Sequence, residues 1–343
     1  MAGCSYRAEG PGLEEFDHFE IVDVRDHDGV TGLARRCGVQ AVYSCGMELP
    51  METVARARRR LGADEWFTPE AARLARHKPS LRRFLAERDL SPVAFARIRS
   101  LVDLDGWDRY PAVVKPADSA GQRGVFVAGS REEVAAGLQR VLSCSFGGEA
   151  IVEEWLEGPE VSVNAFVLEG RVAVCRVSDR LVLEGYPGGL PRAHVLPSQA
   201  ASCGEVAAVR SLLGQVISAL GIRQGPVYAQ LKLTSGGPRL LEVSPRLDGC
   251  HLWRLVLGVT GIDLLAATAA LLEGRSPDLE GEGPTRPMSL LMRHRPPGTV
   301  LREVEDGVPD GAVAWGYHYH DGEVVRPVNG LLETVGYCLV AGA

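Results

Sequence analysis

Short apolar runs alternate with stretches of helical apolar spacing from the start of the chain. Residues 20–24 (EIVDV) and 40–44 (QAVYS) predict short strands, with the helical segment 31–37 (TGLARRC) between them. Residues 51–61 predict a longer helix with Met51, Val54 and Leu61 on one face. Thr68-Pro69-Glu70 is an N-cap followed by proline at the first helical position, opening a helix to about Arg76, and Pro79-Ser80 opens another to about Arg88. This βαβα order predicts a small parallel sheet at the front of the molecule.

Residues 111–115 and 124–127 predict two strands around a glycine-containing turn. Ser130-x-x-Glu133 forms a capping box ahead of the amphipathic EEVAAGLQRVL, and 150–155 predicts a further strand. Residues 161–168 and 171–177 predict a hairpin across Glu169-Gly170. The segment 185–200 has the composition of a loop, and a helix at about 204–220 closes at Gly221. A second hairpin, 226–233 with 239–243, turns through Thr234-Ser235-Gly236-Gly237-Pro238. A helix over 263–273 stops at Gly274, and the chain from 288 onward predicts short strands and turns, without repeats.

Composition narrows the class. The chain has 343 residues, 45% apolar and 24% charged, which suits a globular protein with a large core. Forty glycines and only 6% aromatics favour an α/β protein. At net charge −7, with arginine interleaved among acids, the chain lacks the basic stripe of a nucleic-acid binder; the run Arg56 to Arg60 predicts a solvated helix face. No stretch approaches the ~18 apolar residues of a membrane span, and MAGCSYRAEGPGLEEF lacks the apolar core of a signal peptide. Eight scattered cysteines without C-x-x-C spacing point to a reducing, cytoplasmic setting and away from a zinc knuckle. Of the 37 basic residues only Lys78, Lys115 and Lys232 are lysine, marking positions where a compact ammonium is needed.

Four constellations carry candidate chemistry. In the 226–243 hairpin, Val227, Ala229, Leu231 and Leu233 alternate with Tyr228, Gln230 and Lys232, and Leu241 and Val243 alternate with Leu240, Glu242 and Ser244. A turn centred on Gly236 sets Gln230 opposite Glu242, so one face docks on the core and the other presents amide, carboxylate, hydroxyl and ammonium groups, followed by Arg246. Such oxygen ligands suit Mg²⁺; a solvated polar face has the same pattern. Val114-Lys115-Pro116 runs into the small-residue loop Asp118 to Val125, whose glycines let backbone N–H groups approach phosphate; it is no Walker A loop. Lys78 precedes a helix N-terminus, a place that favours an anion. Val152-Glu153-Glu154-Trp155-Leu156-Glu157-Gly158-Pro159-Glu160 is an acidic strand end, read structurally as a charged edge strand. His318 and His320 share a strand face and are read as exposed, and Cys250 and Trp253 line either a pocket or the core.

In this order the four resemble the ATP-grasp superfamily: a lysine before a helix, V-V-K-P, a G-x-x-G-V loop, V-E-E-x-L-E-G-P-E-x-S-V, and Q-x-K-L-T-x-x-G-P-x-L-L-E-V-S-P-R-L-D-G. They are most similar to the carboxylate–amine ligases of the L-amino-acid ligase type, over roughly residues 20–320. The resemblance implies an α/β (α+β) ATP-grasp fold: a shortened N-terminal α/β domain with linking helices (1–110), an ATP lid (111–156) and an antiparallel-sheet catalytic domain (157–343). It implies that Lys78 and Lys115 hold ATP phosphates under a mobile loop at Gly121 and Gly124. Glu154 and Leu156 form the adenine hinge, and Glu160 holds the ribose. Gln230, Glu242 and Ser244 are metal positions, Lys232 and Arg246 are catalytic cations, and Arg246 and His194 contact substrate. It implies ATP and Mg²⁺ as cofactors, a small carboxylate and an amine as substrates, and a homodimer.

Three positions depart from the family pattern. Gln230 stands where Glu or Asp is commonest, and Ser244 where Asn is usual. The first strand and glycine-rich turn that normally precede the 20–24 strand are not recognisable, although that unit contributes to the substrate wall. Two alternatives stay open: a carboxylase that activates bicarbonate, and a nucleotide-binding module without turnover.

Overall fold

The computed structural model describes residues 1–9, 12–186, 189–281, 286–302, 307–308, 311–328 and 331–342. Three sheets organise them. At the front, β1 (Ala2–Ser5) and β2 (His18–Ile21) pair in parallel, Ala2 opposite His18. So the first strand that the sequence seemed to lack is present. It is four small residues long, too short and too featureless to show a pattern, and one 3₁₀ turn at Leu13–Glu15 lies between it and β2. The helix α1 (His27–Arg36) follows, capped by the Asp26 carboxylate.

Residues 40–44, expected as a strand, form none. Their apolar side chains anchor the segment instead: Val42 and Tyr43 pack on the main core, and the Tyr43 hydroxyl donates to the Pro245 carbonyl at 3.1 Å. Three helices come next, α2 (Met51–Leu61), α3 (Pro69–Arg76) and α4 (Lys78–Ala86). Their starts are local chemistry. The Thr68 hydroxyl accepts from the Ala71 N–H at 3.0 Å, and the His77 ring caps α4 with Pro79 in its first turn.

The second sheet has the order β3-β6-β4-β5: β3 (Phe95–Ile98), β4 (Ala112–Pro116), β5 (Phe126–Ala128) and β6 (Ala150–Glu154). Ala112, Val114, Val152 and Ala128 face α5 (Arg131–Ser143) in one small core. Period two therefore turns Val113, Lys115 and Glu153 to the opposite face.

The third sheet has eight strands, in the order β11-β10-β7-β8-β9-β12-β14-β13. They are β7 (Glu160–Leu168), β8 (Arg171–Val182), β9 (Pro191–Leu196), β10 (Gly225–Thr234), β11 (Gly237–Ser244), β12 (Met288–Arg295), β13 (Ala312–Tyr317) and β14 (Glu333–Ala341). All neighbouring pairs are antiparallel. The β7–β8 turn is Glu169-Gly170, with φ of 50° and 76°, as a two-residue hairpin requires.

One face of this sheet packs on α2, α3, α4 and α6 (Cys203–Leu220) through Val161, Val163, Val177, Ala229 and Leu231. By length and composition α6 could cross a bilayer, a span the sequence reading did not expect; its Val209, Leu213, Val216 and Ile217 are buried against the sheet. The other face is apolar at one end, where Phe166, Leu290 and Leu339 pack on α7 (Leu252–Thr260) and α8 (Leu264–Leu272). At the other end it is polar.

Besides β1, the elements β3, β9 and α7 escaped the sequence reading. The segment 185–200 contains β9, with both sides buried: Ala193 and Val195 alternate with His194 and Leu196, so no polar face signals a strand. Pro187 and Gly188 of that segment lie outside the described residues. In α7, Leu252, Leu255, Val256 and Val259 follow helical spacing and are all buried, a signal that was there to read.

Phe166 is fully buried where β7 meets the α7–α8 layer. Phe166→Ala is expected to cost about 3–5 kcal/mol, read as a lower urea midpoint with an unchanged slope.

Candidate active site

A cavity of about 550 Å³ lies between the second and third sheets. One wall is Val113, Lys115, Val127 and Glu153; the other is Glu160, Val182, Gln230, Lys232 and Leu241. Glu154, Trp155 and Leu156 line it where the chain passes from one sheet to the other, and residues 183–186 with Gly189 close a further side.

The first wall rests on Glu153. This carboxylate is 3% exposed, in a strand flanked on both sides, so it is not on an edge. It accepts from Lys115 Nζ at 2.5 Å and from Arg82 Nε of α4. Burial alone would raise its pKa; the Arg82 guanidinium and Lys115 ammonium outweigh burial and hold it at about 2. The same guanidinium donates through Nη1 to the Leu240 carbonyl of β11, so Arg82 ties the two walls together. No spacing in the sequence links Arg82 to Glu153, 71 residues away.

Lys78 enters from the first residue of α4. Its ammonium donates to the Ser119 carbonyl at 2.7 Å and its backbone N–H to the Ala117 carbonyl at 2.8 Å. Burial lowers its pKa, opposed by the charges of Glu242 and Glu48. The loop beyond is built for a tight turn: Gly121, Gln122 and Gly124 have φ of 72°, 61° and 73°. Asp118 accepts from Ser145 Oγ at 2.7 Å and from the N–H groups of Phe146 and Gly147 at 2.9 and 3.0 Å, so it builds the turn. Gln122 Nε2 donates to the Gly189 carbonyl at 2.9 Å, joining this loop to the segment across the cavity.

On the second wall the registers place Lys232, Glu160, Arg180 and His194 side by side on β10, β7, β8 and β9. Glu160 is the shared acceptor, taking Arg180 Nη1 at 2.5 Å and Gln230 Nε2, with Lys232 Nζ 3.9 Å away. Lys232 also donates to the Gly158 carbonyl at 3.0 Å. Only glycine fits at 158, because a Cβ there would stand 1.9 Å from the Leu233 carbonyl oxygen. The Glu154 carboxylate points away, accepting from the Ala94 N–H at 2.8 Å and Arg109 at 3.2 Å.

Gln230 pairs directly with Glu242, as the hairpin spacing predicts. The next pair is Leu231 with Leu240, so Leu241 is an extra, bulged residue. This corrects the expected alternation: Leu240 is fully buried in the core and Leu241 turns to the cavity.

Glu242, Ser244, Arg246 and His194 lie beyond the cavity lining. Arg246 Nη2 stands 3.7 Å from both Glu242 and Glu48, and Nη1 donates to the Leu247 carbonyl at 2.9 Å. Burial pushes the Glu48 carboxyl up to about 7, reinforced by Glu242 and opposed by Arg246. Glu48 and Arg180 are the residues that the sequence reading missed here; neither stands in a motif.

Ser244 Oγ, Arg246 Nε and both ring nitrogens of His194 are among the buried side-chain atoms without a hydrogen-bond partner, as are Arg82 Nη2 and Gln122 Oε1. Burial, then the nearby Arg180, lowers the His194 pKa to about 3, so its ring is neutral at pH 7.

Known proteins share this arrangement of two sheets around a lysine-lined cavity. Residues 108–252 match the family described as the ATP-grasp domain. The chain therefore carries an ATP-grasp domain over those residues. It is 27% identical over 249 residues to dapdiamide A synthase of Enterobacter agglomerans, covering 68% of this chain and 58% of that protein. It is 34% identical over 190 residues to carnosine synthase 1 of Gallus gallus, covering 52% of this chain and 20% of that protein. The chain thus spans less than two thirds of the length of either relative. Its fold is that of the L-amino acid ligase from Bacillus licheniformis, with a TM-score of 0.78 at 20% identity over 96% of this chain and 84% of that one.

Arg82→Met leaves Glu153 with one cation and is expected to cost about 3–5 kcal/mol in chemical denaturation. Glu153 is depressed in the folded state, so its contribution is complete above its unfolded value of roughly 4.3 and is lost as pH falls toward about 2. Stability measured from pH 7 down to 3 should fall less steeply in Glu153→Gln than in the unsubstituted protein.

Proposed function

We propose that this protein is an ATP- and Mg²⁺-dependent ligase that activates a carboxylate as an acyl phosphate and joins it to an amine, an amino acid or a related metabolite. The observation that carries this reading is the two-walled cavity, with Lys115 on one wall and the opposed Gln230 and Glu242 of the other sheet at its end. The likeness to amide-forming relatives supports it.

In this reading ATP lies between the sheets. The backbone at Glu154 and Leu156 meets adenine, which suits a Glu154 side chain turned away, and Glu160 holds the ribose. Lys78 and Lys115 carry the phosphates beneath the Gly121–Gly124 loop, and Lys232 adds a third cation. The division into front unit 1–110, lid 111–156 and catalytic part 157–343 belongs to the same reading, as do a cytoplasmic setting and a homodimer.

Gln230, Glu242 and Ser244 fit Mg²⁺. They are hard oxygen donors, two of them directly opposed, and Ser244 Oγ is buried without a partner. The ion would neutralise phosphate charge. The residues do the rest. A carboxylate oxygen attacks the γ-phosphorus and ADP leaves with the former β–γ bridging oxygen. The amine nitrogen then attacks the acyl carbon, the C–O bond to phosphate breaks, and the nitrogen loses a proton. Arg246, held between Glu48 and Glu242, faces the oxyanion of that step, and neutral His194 hydrogen-bonds substrate without adding charge. Gln122 on Gly189 keeps the loop down, excluding water from the acyl phosphate.

Phosphate release from Mg-ATP, measured against a panel of amino acids and small carboxylates with mass spectrometry of the mixtures, tests this. The expected product weighs two substrates minus water. Release driven by bicarbonate alone makes the protein a carboxylase, and nucleotide binding without release makes it a non-catalytic module. Glu242→Ala is expected to abolish ADP formation; unchanged turnover overturns the metal assignment.

A further inference from the structure

A group of one arginine and two histidines that the proposed reaction does not use lies on the same face of the third sheet. Its centre is Arg254, in the first turn of α7. The guanidinium carbon sits 4.4 Å from the Trp253 ring centroid and 5.6 Å from that of Tyr337. Cation–π contact holds its plane in place. Its side chain makes no ion pair or hydrogen bond among the described residues, and its Nε is buried without a partner. By contrast, Arg82, Arg180 and Arg246 each face a carboxylate.

Two histidines stand beside it. His251 Nε2 is 3.3 Å from His318 Nε2, and the His251 ring lies 4.3 Å from the Tyr337 ring. His318 Nδ1 is 3.3 Å from the Thr334 carbonyl, which assigns its proton to Nδ1 and makes its Nε2 the acceptor from His251. Among the described residues no carboxylate pairs with either ring. Burial, with the neighbouring His318 and Arg254 charges, lowers the His251 pKa to about 4. The sequence reading left His318 as an exposed surface histidine; the structure half-buries it against His251.

The location connects this cluster to the reaction. His194, Leu290 and Leu339 are in register across β9, β12 and β14, and Tyr337 is two residues along on the same face. At ~4.8 Å per strand, two strands put the cluster on the order of 10 Å from His194. Cys250, next to His251, has Arg180 and Arg246 among the charges acting on its thiol.

We propose that Arg254, with His251 and His318, binds a substrate carboxylate remote from the bond being made. One substrate would then carry a carboxylate besides any reacting one. The site is argued from its own groups; its role in turnover rests on the ligase reading. An unpaired planar guanidinium matches a carboxylate through two parallel N–H bonds, and a bound anion would let the histidines take up a proton and donate as well.

The test uses the full chain, ¹⁵N-labelled at histidine, with Mg-ADP filling the nucleotide site. Succinate and glutarate are titrated in, with succinamide as the neutral control. The expected result is a saturable shift of the His251 and His318 resonances (assigned through His251→Asn) and a higher imidazole pKa with either diacid, but not with succinamide. Arg254→Gln should weaken the response at least tenfold, and Arg254→Lys should restore part of it, which misfolding would not. No response to either diacid, or an equal response in Arg254→Gln, overturns the site. Activity is read separately. Diacid binding that depends on Arg254, without substrate-dependent phosphate release, keeps the site and overturns the ligase reading. Equal kcat/KM of the unsubstituted protein and Arg254→Gln on every substrate turned over overturns the carboxylate role and keeps the ligase.

Discussion

One buried carboxylate holds the two walls in their relation. Glu153 is shared by Lys115 and Arg82, and Arg82 reaches on to the Leu240 carbonyl of the other sheet. A charge this deep is tolerated only when paired and hydrogen-bonded, and here both pairing groups have a second task. Lys115 lines the cavity, and Arg82 fixes the distance between walls. The interaction that satisfies the core therefore also shapes the site. Removing one member disturbs packing, wall spacing and cavity charge together.

The third sheet divides its two faces between stability and chemistry. Across β7, β8 and β10 one face packs Val161, Val163, Val177, Ala229 and Leu231 against the helices. The other changes character along its length, from the row of Lys232, Glu160, Arg180 and His194 to the apolar layer under α7 and α8. Charge also changes along it. Glu48 and Glu242 crowd Arg246, while Arg254 at the other end faces no acid among the described residues. An enzyme that holds a substrate at two points would need such separation, because a free cation beside the reacting centre would be neutralised by its carboxylates.

Much of the site was legible because it is local. The hairpin spacing places Gln230 opposite Glu242, and period two turns Lys115 away from the core. Where a segment lacks an alternating face, reading fails: β9 is buried on both sides, so His194 was assigned to a loop. The front strand β1 is too short for any pattern, and residues 40–44 have a strand's composition without a neighbouring strand to pair with.

The sequence by itself determined the helix caps, the hairpin turns and the order of chemical groups along the chain, because each depends on residues a few positions apart. Only the tertiary structure decided that Glu153 belongs to Arg82, that Glu48 faces Arg246, that a bulge exchanges Leu240 and Leu241, and that His251 meets His318 beside Arg254. The physical reason is that burial and charge partnership are properties of space. A carboxylate brings its ordinary pKa from the sequence, and the fold sets how far burial and neighbouring cations move it.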